Sequence, residues 1–322
     1  MKEIFTEENV KISVDALLEK SDSCGTDGIY VSQYKEFWEL NEEKILNGIL
    51  EGQYKPDAVK KIEILKTNGK KRILAQYTCT DRVILDVIKR KLTPMWEGKF
   101  SKYSFAYQEN KGVQSAVKQA AQFIEEGRCW VAELDVENFF DHVNLERMES
   151  MLRKKITDES LMRLIHQYLY IMVAEEFKET RNIIGLLQGN PLSPLFSNIY
   201  MEQFDLYMEQ NYSYCRFSDD INIYCKSQKE AEKAAEDVTR YLKKKLGLTC
   251  NKKKSGIYQA LSRRYLGYEF YRVEGRKKIY VRRAKKKEEK SIIFRWKPVV
   301  LLIFIQRLHL AALFLSMQTR NT

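Results

Sequence analysis

The chain has 322 residues, and its 55 lysines and arginines against 44 aspartates and glutamates give a formal net charge of +11. This length supports two or three subdomains with substantial cores and excludes a small disulfide-stapled module. The positive balance favours a polyanionic partner, nucleic acid first, while a basic protein whose charges only solvate its surface stays an open alternative.

The six cysteines are scattered, with no CxxC pair and no cysteine–histidine spacing typical of a zinc finger, so reduced thiols are expected. Residues 1–15 lack an apolar core of signal-peptide length, which predicts a cytoplasmic chain without a membrane partner. The apolar stretch 298–316 is interrupted by Gln306, Arg307 and His309, which favours a buried or docking helix over a membrane span.

The region from residue 129 to residue 282 has the clearest order of elements. Residues 129–140 predict a buried strand that delivers Asp135 at its end, and a helix is predicted to begin at Ser193-Pro194 with Ser193 as its cap. The later predictions are a β-hairpin at 214–225 with Ser218-Asp219-Asp220 at or beside its turn, and an amphipathic helix at 228–246 that stops at Gly247. A strand at 248–257 and a hairpin at about 264–282 are predicted to follow. This order fits a split βαβ unit, an antiparallel sheet covered on one face by helices.

Asp219 and Asp220 are adjacent carboxylates between apolar strands, where they repel each other unless a cation neutralises them. Aspartate is also common in turns, so the pair alone is consistent with an ordinary turn. The split βαβ arrangement would bring Asp135 beside the pair. Three carboxylates suit Mg²⁺, and two such ions favour an in-line displacement at phosphorus, which is nucleotidyl transfer.

The segment GLLQGNPLSPLFSN lies at 185–198, with FSDD at 217–220 downstream, and these two blocks are the most specific in the chain. Further blocks lie in order at 25–29, 68–88, 104–117, 133–144, 248–257 and 264–270. This ordered series resembles the reverse transcriptases of group II introns and their bacterial relatives, some of which are adjacent to CRISPR adaptation integrases or belong to phage-defence systems.

The resemblance implies an α+β fold, a right-hand polymerase with fingers and a palm built on an antiparallel sheet (split βαβ), and a short or incomplete helical thumb. The implied domains are an N-terminal helical extension at 1–52, fingers at 53–128, a palm at 129–272 with a helical fingers-like insertion at about 145–184, and a thumb or tail at 273–322. The segment after the 264–270 block is shorter than the family's thumb.

Carried over by position, the resemblance assigns Asp135, Asp219 and Asp220 to two Mg²⁺ ions, with Asp220 the least directly bound and Mn²⁺ as a substitute metal. Phe140 takes the position that packs under the sugar and excludes a 2′-hydroxyl, because a hydroxyl would clash with the ring. An ordinary core phenylalanine is the competing interpretation of Phe140.

The remaining assignments concern the incoming dNTP and the primer. They are Lys66 and Arg72 for the triphosphate, Gln188 and Gly189 for the nucleotide pocket, Lys254 for the leaving pyrophosphate, and Leu266, Gly267 and Tyr268 for the primer grip. Lys66 could instead be a solvated charge, and Lys252 and Lys253 make the choice of Lys254 ambiguous. The chain departs from the family at Phe217-Ser218, where Tyr-Ala is usual, and at Gln108, where an arginine is usual.

The resemblance implies an RNA-directed DNA polymerase that extends a primer 3′-hydroxyl with dNTPs by two-metal nucleotidyl transfer. The implied partners are an RNA template and a DNA or RNA primer, with intron RNA or a CRISPR adaptation integrase as further candidates. The alternative, motivated by the short thumb, is an RNA-binding splicing or defence cofactor with vestigial polymerase activity. Template-independent or protein-primed nucleotide addition is a third interpretation.

Overall fold

The computed structural model describes residues 1–65, 69, 71–174 and 179–284, in which helices alternate with short sheets. The helices are α1 Glu7–Leu18, α2 Tyr34–Leu50, α3 Cys79–Trp96, α4 Val113–Glu125, α5 Phe139–His142, α6 Leu145–Arg153, α7 Glu159–Leu169, α8 Ser193–Asn211 and α9 Gln228–Tyr241. The strands are β1 Val59–Leu65, β2 Lys71–Gln76, β3 Trp130–Asp135, β4 Met172–Ala174, β5 Glu179–Arg181, β6 Tyr214–Phe217, β7 Asp220–Cys225, β8 Gly256–Gln259, β9 Arg264–Tyr265, β10 Tyr268–Arg272 and β11 Ile279–Arg283. Lys66 and the apolar stretch 298–316 lie outside the described residues.

The central sheet has the strand order β6-β7-β3-β8, and every neighbouring pair in it is antiparallel. The predicted strand ends at Asp135, and the predicted hairpin is formed by β6 and β7 with Ser218 and Asp219 between them. Because β3 pairs with β7 in a register that sets Asp135 opposite Asp220, two segments far apart in sequence meet at one end of this sheet.

Helices lie against both faces of the central sheet, so the prediction of cover on one face was wrong. On one face, α9 packs over a core that includes Ala132 and Ile223. On the other face, α4 packs on β6 and β7, and its Phe123 ring lies 5.6 Å from the ring of Tyr224. The reason is that β3 and β7 carry apolar side chains on both faces, and each buried side chain of this size contributes about 1.5–3 kcal/mol.

A second sheet has the order β2-β1-β4-β5 and joins two separate parts of the chain. Strands β1 and β2 form an antiparallel hairpin, whereas β4 runs parallel to β1 and pairs through Val173 opposite Val59. The segment predicted as a helical insertion at about 145–184 contains α6 and α7, but it ends in β4 and β5. These two strands fix the segment to the hairpin of β1 and β2.

The third sheet, β11-β10-β9, contains the hairpin predicted at 264–282 and continues past residue 272 into β11. The strand predicted at 248–257 was wrong for most of its length, because β8 begins only at Gly256. Asn251 is the cause: its side-chain oxygen accepts the Lys253 N–H at 3.0 Å, and its own N–H donates to the Asp135 carbonyl at 2.8 Å. These bonds hold the segment in a turn.

The helix ends follow local capping chemistry. Ser227 caps α9, since its hydroxyl accepts the Glu230 N–H at 3.2 Å, and the helical segment ends at Gly247 with a φ of +70°. The helix predicted at Ser193-Pro194 begins there, but Ser193 is its first helical residue and not its cap. The Ser193 hydroxyl donates instead to the Leu187 carbonyl at 2.8 Å, which ties α8 to the preceding loop.

Candidate active site

Three aspartates are brought to the open end of the central sheet by strand pairing. Asp135 is the last residue of β3 and Asp220 the first of β7, and cross-strand partners have side chains on the same face. Asp219 lies in the turn before Asp220, and its carbonyl accepts the Val136 N–H at 3.2 Å. The β3–β7 pairing and the bond from Val136 to Asp219 therefore both hold the main chain at this end of the sheet.

Asp135 and Asp220 line a cavity of about 220 Å³ together with Lys254 and Leu266. The Lys254 Nζ lies 2.9 Å from both carboxylate oxygens of Asp135. This ion pair raises the pKa of Lys254, so the ammonium stays charged beside the carboxylate. Of the three adjacent lysines, Lys254 is thus the one placed on a predicted metal ligand.

The carboxylates are held in an unfavourable electrostatic environment. Partial loss of solvent contact at Asp220, which still stays exposed, followed by the charges of Asp219 and Asp135, raises the pKa of Asp220 to about 6. Loss of solvent contact also raises the pKa of Asp219, and the Asp135 charge adds to the effect. Lys254 acts in the opposite direction on both groups. Further positive charge at this end would relieve the repulsion.

A divalent cation fits this donor set chemically, because clustered carboxylate oxygens are the ligands that Mg²⁺ prefers and the aspartates repel one another without it. In the part of the chain that the structure describes, no group of three or more His, Cys, Asp or Glu side chains already converges closely enough to hold a metal ion. The Lys254 ammonium is the cation that the Asp135 oxygens contact.

A larger cavity, of about 670 Å³, contains Arg72 and Gln188 from the predicted nucleotide pocket. Its other basic lining residues are Lys61, Lys71 and Arg181. The Gln188 Oε1 is buried and has no hydrogen-bond partner among the described residues, so it is an acceptor that a bound molecule could satisfy. Four cations around one cavity favour an anionic ligand such as a triphosphate.

Gly189, which the resemblance assigns to the nucleotide pocket, lies against the main chain of Ala75 in strand β2. A Cβ built there would lie 2.5 Å from the Ala75 carbonyl oxygen, and the φ of Gly189 is +103°. The preceding carbonyl, that of Gln188, accepts the Ala75 N–H at 2.7 Å. Glycine is therefore required so that this loop can approach strand β2, which also carries Arg72.

Phe140 lies in α5, half-buried, with its ring 5.4 Å from that of Phe139 in an edge-to-face arrangement. Its carbonyl accepts the Leu186 N–H at 2.7 Å, which links α5 to the 185–190 loop. The neighbouring residues Asn138 and Asp141 line the larger cavity. Phe140 is thus placed beside that cavity, with its ring packed against the core.

The predicted primer grip is divided between two surfaces. Leu266 and Gly267, with φ values of +48° and +82°, form the tight turn between β9 and β10, and Leu266 lines the cavity of Asp135 and Asp220. Tyr268 instead lines a groove of about 580 Å³ against α4. The turn is the part of the grip that the fold brings to the carboxylates.

Arg216 and Asp205 are functional candidates that the sequence analysis did not identify. Arg216 is completely buried in β6, and its guanidinium pairs with the Asp205 carboxylate of α8 at 2.5 Å. The sequence feature that could have identified them is the arginine in the otherwise apolar segment YCRF at 214–217. A charge in a buried strand is costly unless a partner compensates it, so this arginine indicates a buried acidic partner.

Known proteins resemble the chain in sequence and in fold. Protein YkfC of Escherichia coli is 24% identical over 272 residues, 72% of this chain and 71% of YkfC. The group II intron-encoded protein LtrA of Lactococcus lactis is 28% identical over 188 residues, 58% of this chain but only 31% of LtrA. A telomerase structure from Candida albicans has a TM-score of 0.54 at 9% identity and covers 82% of this chain and 54% of that one, which is a likeness of fold.

Residues 64–270, more than half of the chain, match the family described as reverse transcriptase (RNA-dependent DNA polymerase). The match includes Asp135, Asp219 and Asp220 as well as the 185–198 block. The mixed α+β architecture with antiparallel sheets agrees with the right-hand polymerase fold of such enzymes. The chain belongs to the reverse transcriptase family.

Proposed function

We propose that this chain is an RNA-directed DNA polymerase that extends a primer 3′-hydroxyl with dNTPs. The observation that carries the proposal is the register of β3 and β7, which sets Asp135 opposite Asp220 and beside the turn of Asp219. Carboxylates from two distant segments that meet at a strand end, in a chain of this family, match the requirement of nucleotidyl transfer for metal ligands.

Asp135, Asp219 and Asp220 would hold two Mg²⁺ ions, with Mn²⁺ as a substitute. When bound, such ions activate the attacking 3′-hydroxyl and stabilise the negative charge that develops on the leaving pyrophosphate. The chain's own contribution is to hold the carboxylates in register and to place Lys254 beside Asp135, where its ammonium can neutralise pyrophosphate charge.

The cavity of Arg72 and Gln188 would bind the dNTP. Its four basic side chains supply phosphate contacts, and a guanidinium can contact phosphate oxygens in bidentate fashion. The unpartnered Gln188 Oε1 would accept a hydrogen bond from the nucleotide. Phe140 would exclude the 2′-hydroxyl, because its neighbours Asn138 and Asp141 line this cavity.

The template would be RNA and the primer DNA or RNA, held in part by the turn of Leu266 and Gly267. The net charge of +11 favours phosphate backbones. As the natural RNA we favour an intron-type transcript, because LtrA is named as a group II intron-encoded protein. A CRISPR adaptation integrase, which the sequence resemblance also implies, is the competing partner. In the part of the chain that the structure describes, no helix is long and apolar enough to cross a membrane.

A cofactor with vestigial polymerase activity is the less favoured alternative. Loss of catalysis would remove the need for mutually repelling carboxylates, yet Asp220 stays beside Asp135 and Asp219 with a pKa raised to about 6. The lysine contact to Asp135 and the basic cavity with its buried, unpartnered amide oxygen are also present. These features are of use mainly to a protein that binds metal and nucleotide.

The test supplies purified protein with poly(rA)/oligo(dT), dTTP and Mg²⁺ and measures incorporation. We expect activity that falls by about 1,000-fold or more in the Asp219→Ala plus Asp220→Ala variant, because metal stabilisation of the transition state is worth several kcal/mol. Asp15→Ala is the matched control, since this aspartate is exposed on α1 and, within the described part of the chain, its carboxylate forms an ion pair only with Lys11. Absent incorporation, or incorporation that survives the double substitution, would contradict the proposal.

A further inference from the structure

Arg216 lies at the centre of a buried polar network behind the carboxylates. The arginine is 0% exposed, and Asp205 of α8 is 1% exposed. The guanidinium donates to both Asp205 oxygens, from Nε at 2.8 Å and from Nη2 at 2.5 Å. It also donates to the Asn198 Oδ1 at 3.2 Å. Each of these two buried charges therefore has a partner of opposite sign.

One branch of the network reaches the carboxylate turn, by which we mean Ser218 and Asp219. The Arg216 Nη1 donates to the Ser218 carbonyl oxygen at 3.1 Å. Ser218 has a φ of +61°, a left-handed conformation that costs a residue with a side chain about 1–2 kcal/mol. A strong charge-assisted bond to its carbonyl is the kind of restraint that can keep the turn in this conformation.

A second branch fixes the segment from Tyr103 to Tyr107, which overlaps the start of the 104–117 block. The Arg216 N–H donates to the Tyr103 carbonyl and the Phe105 N–H donates to the Arg216 carbonyl, both at 2.9 Å. The Arg216 Nη2 donates to the Ser104 hydroxyl at 2.8 Å. The Ser218 hydroxyl contacts the Tyr107 hydroxyl at 3.4 Å, so this segment is joined to the carboxylate turn directly and also through Arg216.

We propose that Arg216, paired with Asp205, is a positioning residue that fixes the carboxylate turn so that Asp219 is held beside Asp135. The proposal rests on the proposed function and names the group that holds one of its metal ligands in place. Arg216 does not touch the reacting atoms in this arrangement. It acts through the Ser218 carbonyl and through the segment from Tyr103 to Tyr107.

A purely structural role is the competing explanation, and its consequences differ. Replacing a buried ion pair by well-packed hydrophobic residues of similar volume often leaves stability unchanged or increased, so the pair is weak evidence for a stabilising role. A structural role predicts that activity falls only as far as the folded fraction falls. A positioning role predicts a loss of turnover and of metal affinity in protein that is still folded.

Two variants separate these explanations. Arg216→Lys keeps the ion pair with Asp205, but a single ammonium cannot also reach the Ser218 carbonyl and the Ser104 hydroxyl in the geometry of a guanidinium fork. Arg216→Gln combined with Asp205→Asn removes both charges together, so that neither is left buried alone. Tyr168→Phe is the control, because it deletes a buried hydroxyl that bonds to Asp81 at 2.7 Å, away from the carboxylate turn.

The measurements are the rate of single-dTTP incorporation, the KM for dTTP, the affinity for Mn²⁺ by electron paramagnetic resonance, and the folded fraction by circular dichroism. We expect both Arg216 variants to remain folded, to keep the KM within about twofold, and to lose about 100-fold in rate, as small displacements of catalytic groups do. Their Mn²⁺ affinity should fall about tenfold. The Tyr168→Phe control should keep both its rate and its Mn²⁺ affinity.

The outcomes for the two proposals are distinguishable. If the parent protein incorporates dTTP and folded Arg216 variants keep its rate and Mn²⁺ affinity, the positioning role is refuted while the polymerase function stands. If the parent shows no incorporation but binds Mn²⁺, the polymerase function fails, and the positioning role is then decided by the Mn²⁺ affinity of the variants. If neither Arg216 variant folds while Tyr168→Phe does, the network is structural and the inference is overturned.

Discussion

Replacing Gly189 by alanine would test how the 185–190 loop is seated against strand β2. The added methyl group would lie 2.5 Å from the Ala75 carbonyl oxygen, closer than a Cβ is found to backbone atoms, at a φ of +103°. The conformational part of the cost is about 1–3 kcal/mol, and the steric part is about another 1–3 kcal/mol. We therefore expect a loss of about 2–6 kcal/mol in the free energy of unfolding.

The loop can lower that cost by moving away from β2, and this movement would widen the dNTP pocket. Such a movement would break the 2.7 Å bond from the Ala75 N–H to the Gln188 carbonyl. Gln188 and Arg72 line the same cavity, so the pocket would widen. One lost hydrogen bond is worth about 0.5–1.5 kcal/mol, which predicts a rise of up to about tenfold in the KM for dNTP.

The assay combines urea unfolding with steady-state incorporation of dTTP, and Gly127→Ala is the matched control. Gly127 has a φ of +86°, but a Cβ there would meet no atom within 4 Å, so this variant pays only the conformational cost. The difference between the two variants isolates the approach to Ala75. Equal losses of stability, together with an unchanged KM in Gly189→Ala, would refute the reasoning.

Three further predictions concern the predicted site residues. Lys254→Met should lower kcat by about tenfold or more in the incorporation assay. It should change the free energy of unfolding by less than about 1 kcal/mol, since the exposed ion pair with Asp135 contributes little to stability. The control, Lys253→Met, should leave kcat unchanged in the same assay. Asp220→Asn in EDTA should raise the free energy of unfolding by about 1 kcal/mol at pH 8, after allowance for solvent screening. That gain should vanish below about pH 4 in urea titrations at a series of pH values. The reason is that the pKa of the Asp220 carboxyl is raised from 3.8 to about 6, so the parent protein loses stability only as the pH rises from about 4 to about 6. Phe140→Ala should increase the use of rNTP relative to dNTP by about 10–100-fold in competition assays, and an unchanged ratio would leave Phe140 an ordinary core residue.

The sequence by itself determined the chemistry and the order of the elements that carry it. The strand ending at Asp135, the hairpin around Ser218 and Asp219, and the helix ending at Gly247 were predicted from local patterns and are present in the fold. Such features are readable because apolar periodicity, capping and turn residues act over a few neighbouring positions. The family also follows from motifs in the sequence.

Only the tertiary structure decided which distant residues meet. The approach of Gly189 to Ala75, the contact of Lys254 with Asp135 and the network of Arg216 join segments that no local pattern relates. The same holds for the second helical cover of the central sheet and for the turn at Asn251 that replaced a predicted strand. The physical reason is that these contacts depend on how whole elements pack and where buried polar groups find partners, which is set by the complete fold and not by neighbouring residues.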